Sequence, residues 1–558
     1  MKKKVSEHLI KFLELENIDT VFGYPGAATM PLYEALRNSD INHILVRNEQ
    51  SAGHMASGYA RAKDTVGVCI VTSGPGATNL ITGIATAYMD SIPLVIITGQ
   101  VDSKSIGTDM FQEADIVGST EPFTKHNFLV KKAEDLPKFV KEAFYLANTG
   151  RKGPVLIDLP VDIQKELIDL DYPETVDIRG YKPTYEGNIR QIKKAVKLIN
   201  SSKSPLVCIG GGIASSNSRD ELEEFIEKTK IPVACSLMGV DSFDNSSKYF
   251  AGLLGSHGYP YVNRALNKAD LLVVIGARLA DRTTSRYSFN ENQSIIHIDI
   301  DPAEIGKTIK THIPIVGDAK NVLESLNTYD FNPDWENWSD KIFQERQDYF
   351  KKALNLNINI NKTNPCLVVK EISDLLKDKS ILTADVGQNQ IWATHFYNAS
   401  KSRKFFTSGG LGTMGYSLPA AIGSKIANPG STVVAMTGEG GIQMLIGELA
   451  VLREHNLDLK VVVFNNASLG MVREMQEKIY GDECHFSTAI KFNPDFMKLT
   501  EAYDIRGVQI TNNEEIKAKI KEAFSKKGPC IIECKVDPNF PTLPTKIKKL
   551  EKNINISA

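Results

Sequence analysis

Hydrophobic positions in this chain gather into short, uninterrupted, β-branched runs and rarely alternate with polar ones. Residues 66–71, 93–97, 206–209, 271–275, 295–300, 381–384, 432–436, 460–464 and 530–534 are of this kind. A run without a period of two predicts a strand buried on both faces, as in a parallel sheet. Several end in glycine-rich turns, among them Thr72-Ser73-Gly74-Pro75-Gly76 and the three glycines 210–212, and segments of helical spacing lie between them. The alternation predicts βαβ units, hence an α/β fold of doubly wound parallel-sheet domains.

Two stretches interrupt this pattern and read as linkers. Residues 166–188 carry Asp-Leu-Asp-Tyr-Pro-Glu and scattered Gly and Pro, and residues 327–364 are rich in Asp, Asn and Trp, suiting a helix and coil laid over the surface. They divide the chain into domains at 1–165, 189–326 and 365–540, and the lysine- and asparagine-rich tail 546–558 is expected to be mobile. Three domains suit 558 residues, too many for one core. A net charge of −2 argues against nucleic acid or an anionic membrane as partner. Seven cysteines without CxxC or Cys/His spacing predict buried, reduced thiols. The basic start is broken by Glu7 and His8, unlike a signal peptide, and no apolar run approaches a membrane span, so a cytoplasmic protein is expected.

One pair of segments carries distinctive chemistry. Thr437-Gly438-Glu439-Gly440-Gly441 follows the run 432–436, and the run 460–464 leads to Asn465-Asn466. Ligands of open α/β sheets bind at the carboxyl ends of strands, so both segments can reach one site. Gly438, Gly440 and Gly441 let the backbone approach a diphosphate, while Glu439, the Asn466 side-chain oxygen and the Ser468 carbonyl suit a hard cation. A Gly-x-Gly turn alone is common. With Asn-Asn following Glu439 by 27 residues it resembles the thiamin-diphosphate signature, Gly-Asp-Gly then Asn-Asn, with Glu439 where the aspartate normally stands.

The resemblance extends over nearly the whole chain and is closest to the large, catalytic subunits of acetohydroxyacid synthases. Residues 46–61, Val-Arg-Asn-Glu-Gln-Ser-Ala-Gly-His-Met-Ala-Ser-Gly-Tyr-Ala-Arg, are similar to the block whose glutamate activates thiamin, which implies that role for Glu49. Asn48 replaces a histidine there. In the family this glutamate serves a cofactor bound by the partner subunit, implying a homodimer or homotetramer. Tyr24-Pro25-Gly26 and 72–79 resemble the amino-terminal loops, and 107–115 and 125–130 the substrate-channel segments. By that likeness Gln112 lies beside thiamin, Phe111 lines the pocket, and Lys125 and Arg282 face substrate. Residues 408–415 resemble the loop that bends thiamin, with Met414 as wedge and Gly412 beside it. Gly387, Gln388 and Met471 are further cofactor contacts by the same resemblance.

The middle domain resembles one that holds a non-redox FAD. The matching segments imply contacts from Arg151, from Gly210, Gly211 and Gly212, and from Leu237 and Met238. Gly255, His257, Gly276, Ala277 and Arg278 follow, then Asp299, Ile300, Asp318 and Ala319. Ala280 replaces an aspartate, Met475 a tryptophan linked to preference for 2-oxobutyrate, and Ser256 a methionine of the pocket. The resemblance thus implies thiamin diphosphate, Mg2+ and FAD, and decarboxylation of pyruvate with transfer of the hydroxyethyl unit to a second 2-oxo acid, pyruvate or 2-oxobutyrate. It leaves open a separate small regulatory subunit. The alternatives are another thiamin carboligase or lyase, a pyruvate oxidase, or a non-catalytic paralogue for which Glu439 is the best support.

Overall fold

The computed structural model describes residues 2–284, 292–355, 359, 361–481 and 484–543. The expected tail 546–558 lies outside them.

Three six-stranded sheets, each parallel throughout, form the framework. The first runs Asn42–Leu45, Thr20–Tyr24, Gly67–Val71, Leu94–Gln100, Pro154–Pro160, His126–Leu129. The second runs Phe250–Leu253, Val233–Cys235, Pro205–Ile209, Leu271–Ile275, Ser294–Asp299, Ile313–Val316. The third runs Arg403–Thr407, Ser380–Ala384, Thr432–Gly438, Leu459–Asn465, Cys530–Lys535, Arg506–Ile510. The central strands are buried on both faces, which is why their sequences do not alternate.

With strands counted in chain order, the outer two sheets share the order 2-1-3-4-6-5 and the middle one has 3-2-1-4-5-6. Each order reverses direction beside its first strand, the outer two once more at their last pair, and the crevice at that first switch point is where such sheets bind ligands. In the first sheet it lies between Tyr24 and Val71, in the second between Ile209 and Ile275, and in the third between Ala384 and Gly438.

The outer domains pack on each other within the chain. Helix Glu49–Lys63 lies against helix Ser417–Ala427, and two glycines permit the approach. A Cβ on Gly58 would stand 2.0 Å from the Ala420 carbonyl oxygen, and one on Gly423 1.9 Å from that of Met55. Helix Glu336–Leu354 occupies the second linker and sets Tyr349 edge-on and Phe350 tilted against Tyr259 of the middle domain. The six described cysteines of the interior are free thiols, and burial pushes Cys208 up to about 12. Among the described residues no helix is long and apolar enough to cross a membrane.

Candidate active site

Strand Thr432–Gly438 delivers Glu439 to the first position of a short helix, Glu439–Met444, at the switch point of the third sheet. Strand Leu459–Asn465 delivers Asn466 and Ser468 beside it. The Glu439 carboxylate accepts the Asn466 N–H at 3.3 Å and the Ser468 N–H at 2.8 Å. It is 2% exposed, and among the described residues no cationic side chain pairs with it. Burial raises its pKa, and the two amides work against that rise. Asn466 Oδ1 accepts the Ser468 N–H at 3.2 Å, and among the described residues the buried Ser468 hydroxyl has no partner. Among the described residues no three His, Cys, Asp or Glu gather around a metal position, so a cation here relies on amide and carbonyl oxygens besides Glu439. A buried, unneutralised carboxylate beside an orphaned hydroxyl fits such a cation.

Gln388 ties this turn to its surroundings. Its Oε1 accepts from Asn466 Nδ2 at 2.8 Å and its Nε2 donates to Glu474 at 3.0 Å. Gly387 enters the helix Gln388–Phe396 at φ 138°, a conformation that favours glycine. Asp385, fully buried, accepts the Gly415 N–H at 2.9 Å and the Thr437 hydroxyl at 3.0 Å, and burial raises its carboxyl to about 6. It fixes the backbone beside Met414, whose Cε lies 3.5 Å from where a Gly440 Cβ would stand. A Cβ on Gly441 would meet the Asp385 carboxylate at 2.8 Å, so that cradle needs glycine.

A second group stands at the switch point of the first sheet. Glu49 opens helix Glu49–Lys63, and Asn48, where the family has histidine, is its N-cap, accepting the Gln50 N–H at 2.8 Å. Glu49 is half-buried, and its Oε2 accepts from Asn79 Nδ2 at 3.0 Å. Its other oxygen lies 3.5 Å from where a Gly76 Cβ would stand. Gln112, at φ 62°, crosses over Gly74, and Gly26 packs against Thr72. Pro25 and the 41% exposed Tyr24 form the rim.

The middle sheet opens on a cavity of about 740 Å³. Arg151, Gly211, Gly212, Leu237, Met238 and His257 line it. So do Gly276, Ala277, Arg278, Asp299, Ile300 and the pair Asp318 and Ala319. Gly210 and Gly255 lie behind the wall: Cβ atoms there would meet the Gly276 oxygen at 2.2 Å and the Arg282 oxygen at 2.3 Å. Arg151 pairs with Glu304 at 2.9 Å and Asp301 at 3.3 Å, and burial raises Asp299 to about 6. Arg282 of the middle domain lines the same cavity, as do Gly412, Met471 and Met475 from the side of the third domain. Its volume and glycine walls at the 3-2-1-4-5-6 switch point fit a dinucleotide.

Two residues expected near substrate stand apart from the central cavity of the single chain. Lys125 does not line the cavity. Its ammonium donates to the Leu146 carbonyl, to the Thr149 carbonyl at 2.8 Å and to the Tyr181 hydroxyl at 3.0 Å. It thereby closes the end of helix Leu136–Asn148, where carbonyls lack helical partners. Phe111 is 86% exposed on the single chain. The sequence reading missed Asp90 as an anchor: half-buried at the cavity wall, it accepts the Gly410 N–H at 2.6 Å, and desolvation raises it to about 6. It links the 408–415 loop to the first domain through contacts no local pattern announces.

Models of the thiamine pyrophosphate enzymes match in three parts: the N-terminal TPP binding domain at 3–119, the central domain at 192–326 and the C-terminal TPP binding domain at 385–534. The probable acetolactate synthase large subunit of Methanocaldococcus jannaschii is 44% identical over 96% of this chain and 92% of its own length. Acetolactate synthase isozyme 3 large subunit of Escherichia coli is 44% identical over 93% of this chain and 92% of its own. The acetolactate synthase large subunit of Haemophilus influenzae is 43% identical, covering 98% and 97%.

Proposed function

Because this chain belongs to the thiamine pyrophosphate enzymes, and among them to the acetolactate synthase large subunits, we propose that it makes acetolactate in a site shared by two copies of the chain, with a divalent cation at Glu439 and FAD in the central cavity. It is a thiamin-diphosphate-dependent carboligase of the acetolactate synthase type. The observation that carries the proposal is the buried Glu439 carboxylate, held by backbone amides alone at the tip of the third sheet.

Thiamin diphosphate supplies the electron sink that lets a 2-oxo acid lose carbon dioxide and join a second one. The chain's residues do the rest. Gly438, Gly440 and Gly441 admit the diphosphate. Glu439, Asn466 and the Ser468 carbonyl would hold Mg2+, which would offset its charge. Met414, kept in place by Asp385 through Gly415, would pack against the coenzyme. Glu49 Oε1, the oxygen free of Asn79, holds the proton at the pyrimidine N1′. Gln112 stands beside it. Arg282 offers its planar fork to a substrate carboxylate, and the flexible Met475 shapes the acceptor space.

The sharing of the site rests on helix Pro75–Asp90. Glu49 sits beside Gly76 at its start, while Thr86, ten residues on, bonds Thr413 beside Met414 at 2.7 Å. Ten residues make about 15 Å of helix. The carboxylate therefore stands about 15 Å of helix away from its own chain's wedge. Exposed apolar residues on both rims, Met30, Met110 and Phe111 on one and Val472, Ile479 and Phe486 on the other, suit burial against a second copy. The words "large subunit" in the relatives' names support a separate small subunit as a further partner.

The test is to release and identify the bound cofactors, then supply pyruvate alone and with 2-oxobutyrate. Thiamin diphosphate, magnesium, FAD that stays oxidised, and acetolactate are expected. Acetaldehyde or acetyl phosphate as sole product, or a flavin bleached by pyruvate, would overturn the reading.

A further inference from the structure

Lys152 faces the central cavity next to Asn148, Thr149, Tyr185 and Asp318. This end is tied together by the Asp318 N–H, which donates to the Tyr185 carbonyl at 2.8 Å. Its neighbour Arg151 is engaged through Nε by Ser91 and through Nη1 by Asp301 and Glu304. Lys152 is half-buried, yet among the described residues no hydrogen bond or ion pair holds its ammonium. Asp318 and Asp64 act on it only through space, and burial lowers its pKa. A partly desolvated ammonium without an acceptor is costly, so an acceptor on whatever fills the cavity would complete it.

The two ends of the cavity differ in chemistry. Toward the third domain the walls are Leu237, Met238, Leu411, Met471 and Met475, apolar and suited to a flat tricyclic ring. The glycine turns at 211–212 and 276 with Arg278 lie at the switch point between, where a pyrophosphate belongs. The end at Lys152 offers amides, hydroxyls, a carboxylate and the ammonium. Ring nitrogens and ribose hydroxyls of a purine nucleoside are matching acceptors and donors.

We propose that Lys152 donates a hydrogen bond to the adenosine half of a flavin dinucleotide and so makes the cavity select the dinucleotide over the mononucleotide. The inference rests on the cavity holding FAD. It is tested by calorimetric titration of the full-length protein, stripped of flavin, with FAD, ADP and FMN, comparing wild type, Lys152→Met and Lys152→Arg. Lys152→Met is expected to weaken FAD and ADP by the same factor, about tenfold or more for a charged donor, and to leave FMN unchanged. Lys152→Arg retains most of the FAD affinity. Wild-type-like FAD binding by Lys152→Met, or an equal loss for FMN, overturns the assignment of Lys152 while leaving the flavin site standing. Failure of wild type to bind FAD overturns both. An unchanged thiamin diphosphate affinity in each variant shows that the fold is intact.

Discussion

At Lys125 the ammonium is committed to carbonyls of its own domain, which supports helix closure as its role in the motif. Lys125→Met is expected to lower stability in urea by about 1–3 kcal/mol and to leave the KM for pyruvate within about twofold. A tenfold rise in KM with unchanged stability would return Lys125 to the substrate path. Asp158 gives a pH dependence of definite sign. Buried in strand Pro154–Pro160, it accepts from Thr98 at 2.7 Å and Gln100 at 2.9 Å, and burial raises its carboxyl from 3.8 to about 7. A carboxyl raised on folding stabilises fully below its unfolded pKa, and that contribution is lost as pH climbs through the folded one. Between pH 4 and 7 wild type should therefore lose about 1.4 kcal/mol per pH unit relative to Asp158→Asn. Parallel profiles from urea midpoints across that range would refute it. The spacing of Glu439 and Asn466 was legible at this scale because one sheet carries both on neighbouring strands. Asn79, Asp90 and Asp385 were not legible as partners of Glu49, Gly410 and Gly415, since each contact joins elements distant along the chain.

Helix Glu49–Lys63 meets helix Ser417–Ala427 backbone to backbone, and that contact orients the first turn carrying Glu49. Gly423→Ala forces a methyl against the Met55 carbonyl, where the backbone cannot yield without parting the helices. Its unfolding midpoint should fall by the equivalent of about 3 kcal/mol or more. Gly430→Ala, with open space around it, should be neutral; similar midpoints for the two would deny the close approach. The runs that predicted strands are those buried on both faces, such as Leu271–Ile275 and Leu459–Asn465. Edge strands escaped notice for the converse reason. Asn42–Leu45 and His126–Leu129 are partly exposed and carry polar residues that dilute the pattern; the inner strand Val233–Cys235 is buried but only three residues long.

Across the whole molecule the outer domains repeat one strand order, and each presents half of a thiamin site at the same switch point. The middle domain has the dinucleotide order and a cavity that opens toward the third. Glycine turns after strands made this architecture legible, but how the halves meet was visible only through the family resemblance, because partner contacts leave no periodic trace in one chain. The proposed sharing makes each carboxylate indispensable to a different copy. Glu49→Gln and Glu439→Gln, each inactive alone, should complement when unfolded and refolded together. Random pairing makes half the dimers mixed, each with one intact site of two, so about a quarter of the wild-type acetolactate rate should return. If the mixture stays as inactive as its components while mixed dimers demonstrably form, Glu49 and Glu439 do not act in one site from separate chains.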